Sequence, residues 1–559
     1  MSPPAPGATR AAGPTGGSPG TPLVAVVGGG IAGLAAARAL AAAGARVVVL
    51  ESGPTLGGKI RSATVGGVPV DVGPDAFVAR RPEAVELCRA VGLADDLVAP
   101  GAAGAAIWAR GRLRPLPAGI VLGVPTRLLP LARSGILSPA GTARASLDLL
   151  ARSPAPRPGG TGTDGGPAHG GTGDDSVAAV VERHLGRQVA RRLADPLVGG
   201  INAGPTTAMS AAAVFPALLQ ADRAGGSLMR RLRPPRDARD QGAGPVLLTV
   251  RGGLGRVVER LASALTAGGV VIRTSSAVER VVPRCDRGRW AWQVDVPGGP
   301  VTAQGVVLAV PAPVAARLLR PAPGTGAGAA GPEDSSEGGG STTNLVPGGS
   351  GSGTTTNLVP GGGSSVPGGP ERAQAVAHAL ERLATSLAAV EHASVSAVTY
   401  AFDASGPAAR WLHAPGTGYL VPTEQGLLAT GVTWLSTKWP HLAAEGRVLV
   451  RVSAGRYGDD RAGHLDDGAL ARRLLAELRA TAGDVDDPVD TLVTRWAGAF
   501  PQYRVGHQEW LARVTALTAA IPALGVAGAS FEGVGIPACI GSGERAAGRV
   551  ADGLGLGDR

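Results

Sequence analysis

Apolar positions along this chain follow two periods, and the places where one gives way to the other outline an α/β protein. Val24 to Val27 is an unbroken apolar run and reads as a strand buried on both faces. Glycines follow it, then an Ala/Leu-rich helical stretch to about Ala43 and a second apolar strand, Arg46 to Leu50. Helical patterns broken by Pro and Gly fill 82–92 and 174–222. Gly252, Gly253 and Leu254 open a helix that carries Val257, Val258, Leu261 and Leu265 on one side, with strands predicted at Val270 to Ile272 and Ala277 to Val282. Trp290, Trp292, Val294 and Val296 alternate as a half-buried strand does, and Val306 to Val310 is a further buried run. Across 371–390, Val376, Leu380, Leu383, Leu387 and Val390 form one helical stripe, which requires a core to pack against. Strands follow at 395–402, 427–433 and 447–454, and Leu524 to Ala527 leads through a glycine loop into a helix ending near Asp552.

Three segments break this pattern. Residues 1–21, 153–175 and 321–370 are dominated by Gly, Pro, Ser and Thr, and the last repeats Thr-Thr-Asn-Leu-Val-Pro-Gly-Gly at 342–349 and 355–362. With so little apolar content they cannot offset the entropy of ordering and are expected to be disordered. Two copies of a short unit cannot build a solenoid, so the repeat reads as an insertion in a surface loop.

Composition narrows the function classes. The 559 residues carry a formal net charge of +10, but aromatics are only 3% and no zinc knuckle or stacking strip accompanies the arginines, so nucleic acid is not expected as a partner. Clusters at Arg110, Arg112 and Arg114, and from Arg230 to Arg239, read as solvated faces, with an acidic small substrate or an anionic lipid surface left open. Cys88, Cys285 and Cys539 are far apart, which suggests a reducing compartment and gives no metal site. No stretch offers the ~20 apolar residues of a spanning helix, so a cytoplasmic protein is expected, with peripheral membrane contact open.

The candidate chemistry lies at the two ends. Gly28, Gly30 and Gly33 stand in G-x-G-x-x-G spacing between a strand and a helix. In that setting the first glycine makes the tight turn, the second lets a pyrophosphate approach, and the third allows close packing of helix on strand. Gly29, Ile31 and Ala32 complete the loop and first turn, where free N–H groups favour phosphate. Glu51, at the end of the second strand, stands where a carboxylate binds an adenosine ribose, with Ser52 beside it. A second glycine pair, Gly57 and Gly58, precedes Lys59, which with Lys438 makes up all the lysine of the chain against 51 arginines. A nicotinamide enzyme has no need of that second loop, whereas a protein that wraps FAD does. The C-terminal glycine loop opens a helix with Pro537 in its first turn, a second positive helix end able to stabilise charge on a reduced flavin.

With these residues in hand the chain resembles the bacterial FAD-dependent coproporphyrinogen III and protoporphyrinogen oxidases, within the amine-oxidase-like flavoproteins. The resemblance rests on GGGIAGL, LES and LGGKI near the N-terminus, DVGPDAF (71–77), LPAGIVLGVPT (116–126), FPQYRVGH (500–507) and FEGVGIPACI (531–540). It implies a discontinuous Rossmann-like FAD-binding domain (22–80, 245–310 and 490–555). A helical subdomain (81–244) that faces substrate or membrane and a mixed-sheet substrate domain (311–489) complete the chain. It further implies FAD contacts at Gly28 to Gly33, Glu51, Ser52, Lys59, Gly73, Pro74, Asp75, Ala76, the backbone of Val278, Trp496, Val534, Gly535 and Ile536. Trp496 reads equally well as a core aromatic. The implied reaction is oxidation of coproporphyrinogen III to coproporphyrin III by three hydride transfers to flavin N5, O2 being reduced to H2O2. The alternatives are protoporphyrinogen IX oxidation and, further off, amine oxidase or carotenoid desaturase activity. No side chain is required as a catalyst, and His507 reads as structural. Arg80 and Arg81 are candidates for holding the substrate's propionates; contact with haem-pathway enzymes and the oligomeric state are left open.

Overall fold

The computed structural model describes residues 20–151, 173–234, 244–286, 288–320, 369–443 and 446–557. Its centre is a five-stranded parallel sheet in the order Val271–Arg273, Arg46–Leu50, Leu23–Val27, Gly305–Leu308, Leu524–Val526. The unbroken apolar run has the physical cause the sequence predicts. Val24 and Val26 face one core with the helices Ile31–Ala42, Gly255–Ala267 and Ile536–Gly553, while Ala25 and Val27 face another. That second core is closed by an antiparallel sheet of Arg280–Asp286, Arg289–Asp295 and Val301–Ala303 and by the helices Ala312–Leu319 and Gly369–Ala388. The predicted stripe Val376, Leu380, Leu383 and Leu387 is buried there, and Val390 lies just past the helix end. The nucleotide sheet is thus assembled from strands hundreds of residues apart, as expected of a discontinuous domain.

A seven-stranded sheet stands beside it in the order Asp490–Pro501, His392–Asp403, Arg447–Ala454, Ala429–Trp434, Gly418–Leu420, Ala106–Ala109, Arg112–Pro115. Two features differ from the sequence reading. Asp490–Pro501, assigned above to the FAD domain, is an edge strand of this sheet and pairs along His392–Asp403. Ala106–Ala109 and Arg112–Pro115, assigned to the helical subdomain, form its opposite edge. In both cases the backbone hydrogen bonds decide membership, and sequence position does not reveal them.

The helical layer runs through Val177–Leu185, the π-helical turn Ala190–Gly199 and Pro216–Arg223. Of the segments expected to be disordered, 1–19, 153–172 and 321–368 lie outside the described residues, whereas 369–370, assigned to the last of them, open the helix Gly369–Ala388. Residues 173–175 are a correction: Asp174 is 7% exposed and accepts from Ser210 Oγ (2.6 Å), Ala212 N (3.0 Å) and Gly506 N (3.1 Å). A polar run there is structured because its carboxylate collects these donors.

Candidate FAD site

Each of the three motif glycines has a distinct surrounding. Gly28 has φ +105°, and a Cβ there would stand 2.6 Å from the Ala309 carbonyl oxygen. A Cβ on Gly33 would stand 1.9 Å from the Gly28 carbonyl oxygen, so this glycine lets the helix lie on the loop. Gly30 is the opposite case, since a Cβ there would meet nothing within 4 Å. It caps the helix Ile31–Ala42, which has no side-chain cap and no acidic residue in its first turn. The N–H groups of Ile31, Ala32 and Gly33 therefore begin the helix without an i−4 carbonyl partner, beside open space.

Glu51 frames that space. One carboxylate oxygen accepts from Gly29 N at 2.7 Å; the other accepts from Gly53 N at 2.7 Å and from Ser52 Oγ at 3.2 Å. The backbone of the 274–278 segment crosses above: Ser275 N donates to the Gly53 carbonyl and Ser276 N to that of Glu51. Val278, two residues on, has its side chain against the second core. The second glycine loop folds onto the first, with Gly57 N donating to the Gly29 carbonyl at 2.9 Å and Gly58 against Gly30. Lys59 turns away from this loop, and its amine donates to the Ala499 carbonyl at 2.5 Å. Burial lowers its pKa, and Cys539 is its electrostatic neighbour, a thiol that burial pushes up to about 11.

Gly73 packs on Lys59, whose carbonyl oxygen would lie 1.9 Å from a Cβ at that position. Trp496 reaches the same segment from the edge strand: its Nε1 donates to the Val72 carbonyl at 3.3 Å, and its ring lies 3.5 Å from the Gly73 Cβ position. Asp75 points the other way, accepting from Lys438 Nζ and Trp439 Nε1, so within Gly73–Ala76 its carboxylate belongs to a contact with the substrate domain. These two partners were missed by sequence reasoning. The rarity of lysine singled out Lys438, but nothing in the sequence placed it 363 residues back against Asp75.

At the far end, Gly535 caps the helix Ile536–Gly553, again without a side-chain cap or an acidic first turn. The two uncapped helices touch closely, for a Cβ on Gly543 would lie 2.1 Å from the Ala32 carbonyl oxygen. The preceding loop, which carries Val534, is held from FPQYRVGH. Tyr503 donates its hydroxyl to the Ala529 carbonyl, and the His507 ring is hydrogen-bonded through Nε2 to the Phe531 carbonyl at 2.8 Å. His507 is sandwiched between Tyr503 and Trp510, and burial lowers its pKa, which fits a structural imidazole. Arg81, itself exposed like the neighbouring Arg80, brings its guanidinium to this loop, with Nη1 3.7 Å from the Gly533 Cβ position.

The model of the family described as flavin containing amine oxidoreductase matches residues 31–342 and 368–551. The chain belongs to the flavin-containing amine oxidoreductases. The break in the match falls within the repeat-bearing segment. Coproporphyrinogen III oxidase of Mycobacterium leprae is 32% identical, the alignment covering 95% of this chain and 97% of that one. The enzyme of the same name from Bacillus subtilis is 28% identical, over 96% and 99%. A crystal structure from Exiguobacterium sp. 255-15, provisionally named a protoporphyrinogen oxidase, superposes with a TM-score of 0.72 at 25% identity, covering 96% and 99% of the two chains.

This oxidoreductase is a flavoprotein with FAD as cofactor, and its own geometry fits that group. The open cradle at Gly30 is the one a pyrophosphate requires, and Glu51 keeps acceptor capacity for ribose hydroxyls. The uncapped helix starts at Ile31 and Ile536 leave N–H donors that suit the phosphates and the negative charge of a reduced flavin.

Proposed function

We propose that the protein oxidises coproporphyrinogen III to coproporphyrin III, using O2 as terminal oxidant in three two-electron rounds. The observation that carries this is an unbroken relationship, through the substrate half of the chain, to proteins bearing that name. When bound, FAD supplies hydride acceptance from a bridging carbon of the substrate. The chain's part is to bind, orient and exclude water. Gly28 to Gly33, Glu51 and Ser52 hold the nucleotide end. Gly73, Pro74, Ala76, Val278 and Trp496 line its flank, and Val534 to Ile536 present donors to the flavin. Lys59 contributes through its backbone and its charge near Cys539.

Arg81, at the mouth of the C-terminal loop, is the candidate clamp for a propionate, with Arg80 outside it. Four propionates on coproporphyrinogen make a cation there more valuable than for a substrate with two. Arg81→Ala is expected to raise KM for coproporphyrinogen III while FAD affinity stays unchanged; an unchanged KM removes this assignment. Protoporphyrinogen IX is the second reading, favoured by the name of the Exiguobacterium protein. An amine oxidase needs an aromatic cage over the flavin, and Trp411 and Trp434 do not supply one, because they stack on each other at 4.6 Å inside the substrate-domain core. Among the described residues no helix is long and apolar enough to cross a membrane. A cytoplasmic location is inferred from the three unpaired cysteines.

A further inference from the structure

Side chains of the substrate domain grip the 71–75 segment at several points. Lys438 Nζ donates to both Asp75 carboxylate oxygens, at 3.0 and 2.9 Å, and Trp439 Nε1 donates to one of them at 3.0 Å. Arg451, on the strand Arg447–Ala454, donates to the carbonyls of Gly73 (3.3 Å) and Asp71. The other side of the segment rests on the cofactor loop, where Gly73 meets the Lys59 carbonyl and Gly58 meets Gly30. Lys438, Asp75, Gly73, Lys59, Gly58 and Gly30 thus form one contiguous line from the substrate domain to the pyrophosphate cradle.

The ion pair is largely buried, its side chains 13% and 20% exposed. Burial alone would raise the Asp75 pKa, but Lys438 and Arg451 outweigh it and keep the carboxylate charged. Removing one partner of such a pair leaves an uncompensated buried charge, whereas neutralising both leaves a packable polar pair.

We propose that Lys438 is a positioning residue for FAD. By clamping Asp75 it fixes the 71–76 segment against the Lys59 loop, so that the substrate domain sets the geometry of the cofactor cradle. The proposal rests on FAD binding at that cradle. The test uses the full chain, stripped of flavin and titrated with FAD, with the visible flavin spectrum of each holoprotein and the melting temperature of each apoprotein recorded. Lys438→Gln is expected to weaken FAD by at least about tenfold and to alter the flavin spectrum. Lys438→Arg, which retains the charge, should stay within about threefold of the parent, and D75N/K438Q should recover most of the lost affinity. If Lys438→Gln yields too little folded protein, Lys438→Arg and D75N/K438Q are read against the parent, and a more than tenfold loss of FAD affinity in either overturns the proposal. A Lys438→Gln protein with parental FAD affinity and spectrum, and only a lower apoprotein melting temperature, would overturn the proposal. So would a double variant as impaired as the single one. A parent chain that takes up no FAD fails differently, since it removes the flavoprotein reading on which this one depends.

Discussion

Two glycines of one motif, three residues apart, should fail in opposite ways when replaced by alanine. At Gly30 the new methyl group meets no protein atom within 4 Å, and the backbone (φ −72°, ψ 173°) is one that alanine adopts freely. The entropy gain of about 0.4–1 kcal/mol from a stiffer unfolded chain is offset by alanine's weaker preference for the N-cap, so apoprotein stability should change by less than ~1 kcal/mol. The methyl group nevertheless stands in the phosphate cradle. Displacing two charge-assisted hydrogen bonds of about 1.5–3 kcal/mol each weakens FAD by on the order of 10² to 10⁴ in Kd. At Gly33 the methyl group would lie 1.9 Å from a backbone carbonyl oxygen, which no rotamer change can relieve. Overpacking of that kind costs about 1–3 kcal/mol or more before any ligand is added. Urea denaturation of the apoproteins and fluorescence titration with FAD separate the two effects. The reasoning is refuted if Gly30→Ala destabilises the apoprotein as much as Gly33→Ala, or if it leaves FAD affinity unchanged.

Other outcomes follow from the same geometry. Glu51→Ala removes the acceptor shared by Gly29 N and Gly53 N together with the proposed ribose ligand, so FAD titration should show a loss of roughly 1.5–3 kcal/mol. His184 bridges Asp148 (3.1 Å) and Asp222 (2.8 Å), hydrogen bonds that raise its pKa to about 9. Its contribution is complete below the unfolded value of about 6.5 and disappears as pH rises through the folded one, a loss of roughly 3 kcal/mol. Urea midpoints should fall between pH 7 and 9.5 in the parent and stay nearly flat over that range in His184→Gln. Of the three thiols, Cys285 is exposed while Cys88 and Cys539 are buried, with pKa values pushed up to about 11. A thiol-specific reagent at neutral pH should therefore titrate one group in the native protein and three in denaturant.

The local geometry of the candidate nucleotide end was legible because local chemistry dictates it. A strand, a tight glycine turn and a helix start need specific residues at fixed spacing, and Glu51 follows at the end of the very next strand. The C-terminal helix start was legible for the same reason. What the sequence could not show was pairing across hundreds of residues. Asp490–Pro501 has no clean apolar–polar alternation, and its ladder with His392–Asp403 places it in the substrate sheet. The resemblance implies an FAD contact at Asp75, yet Lys438 and Trp439 claim its carboxylate. Asp174 was placed in a disordered run on composition, and tertiary donors overrode that expectation.

The most direct test is a comparison of substrates. The FAD-loaded protein is given coproporphyrinogen III or protoporphyrinogen IX under air, with porphyrin fluorescence and peroxide followed together. The account predicts faster oxidation of coproporphyrinogen III, with about three H2O2 released per porphyrin as the six-electron balance requires. Preference for protoporphyrinogen IX would contradict the substrate assignment. Oxidation of neither, by a protein that holds FAD, would contradict the claim that this chain is a porphyrinogen oxidase.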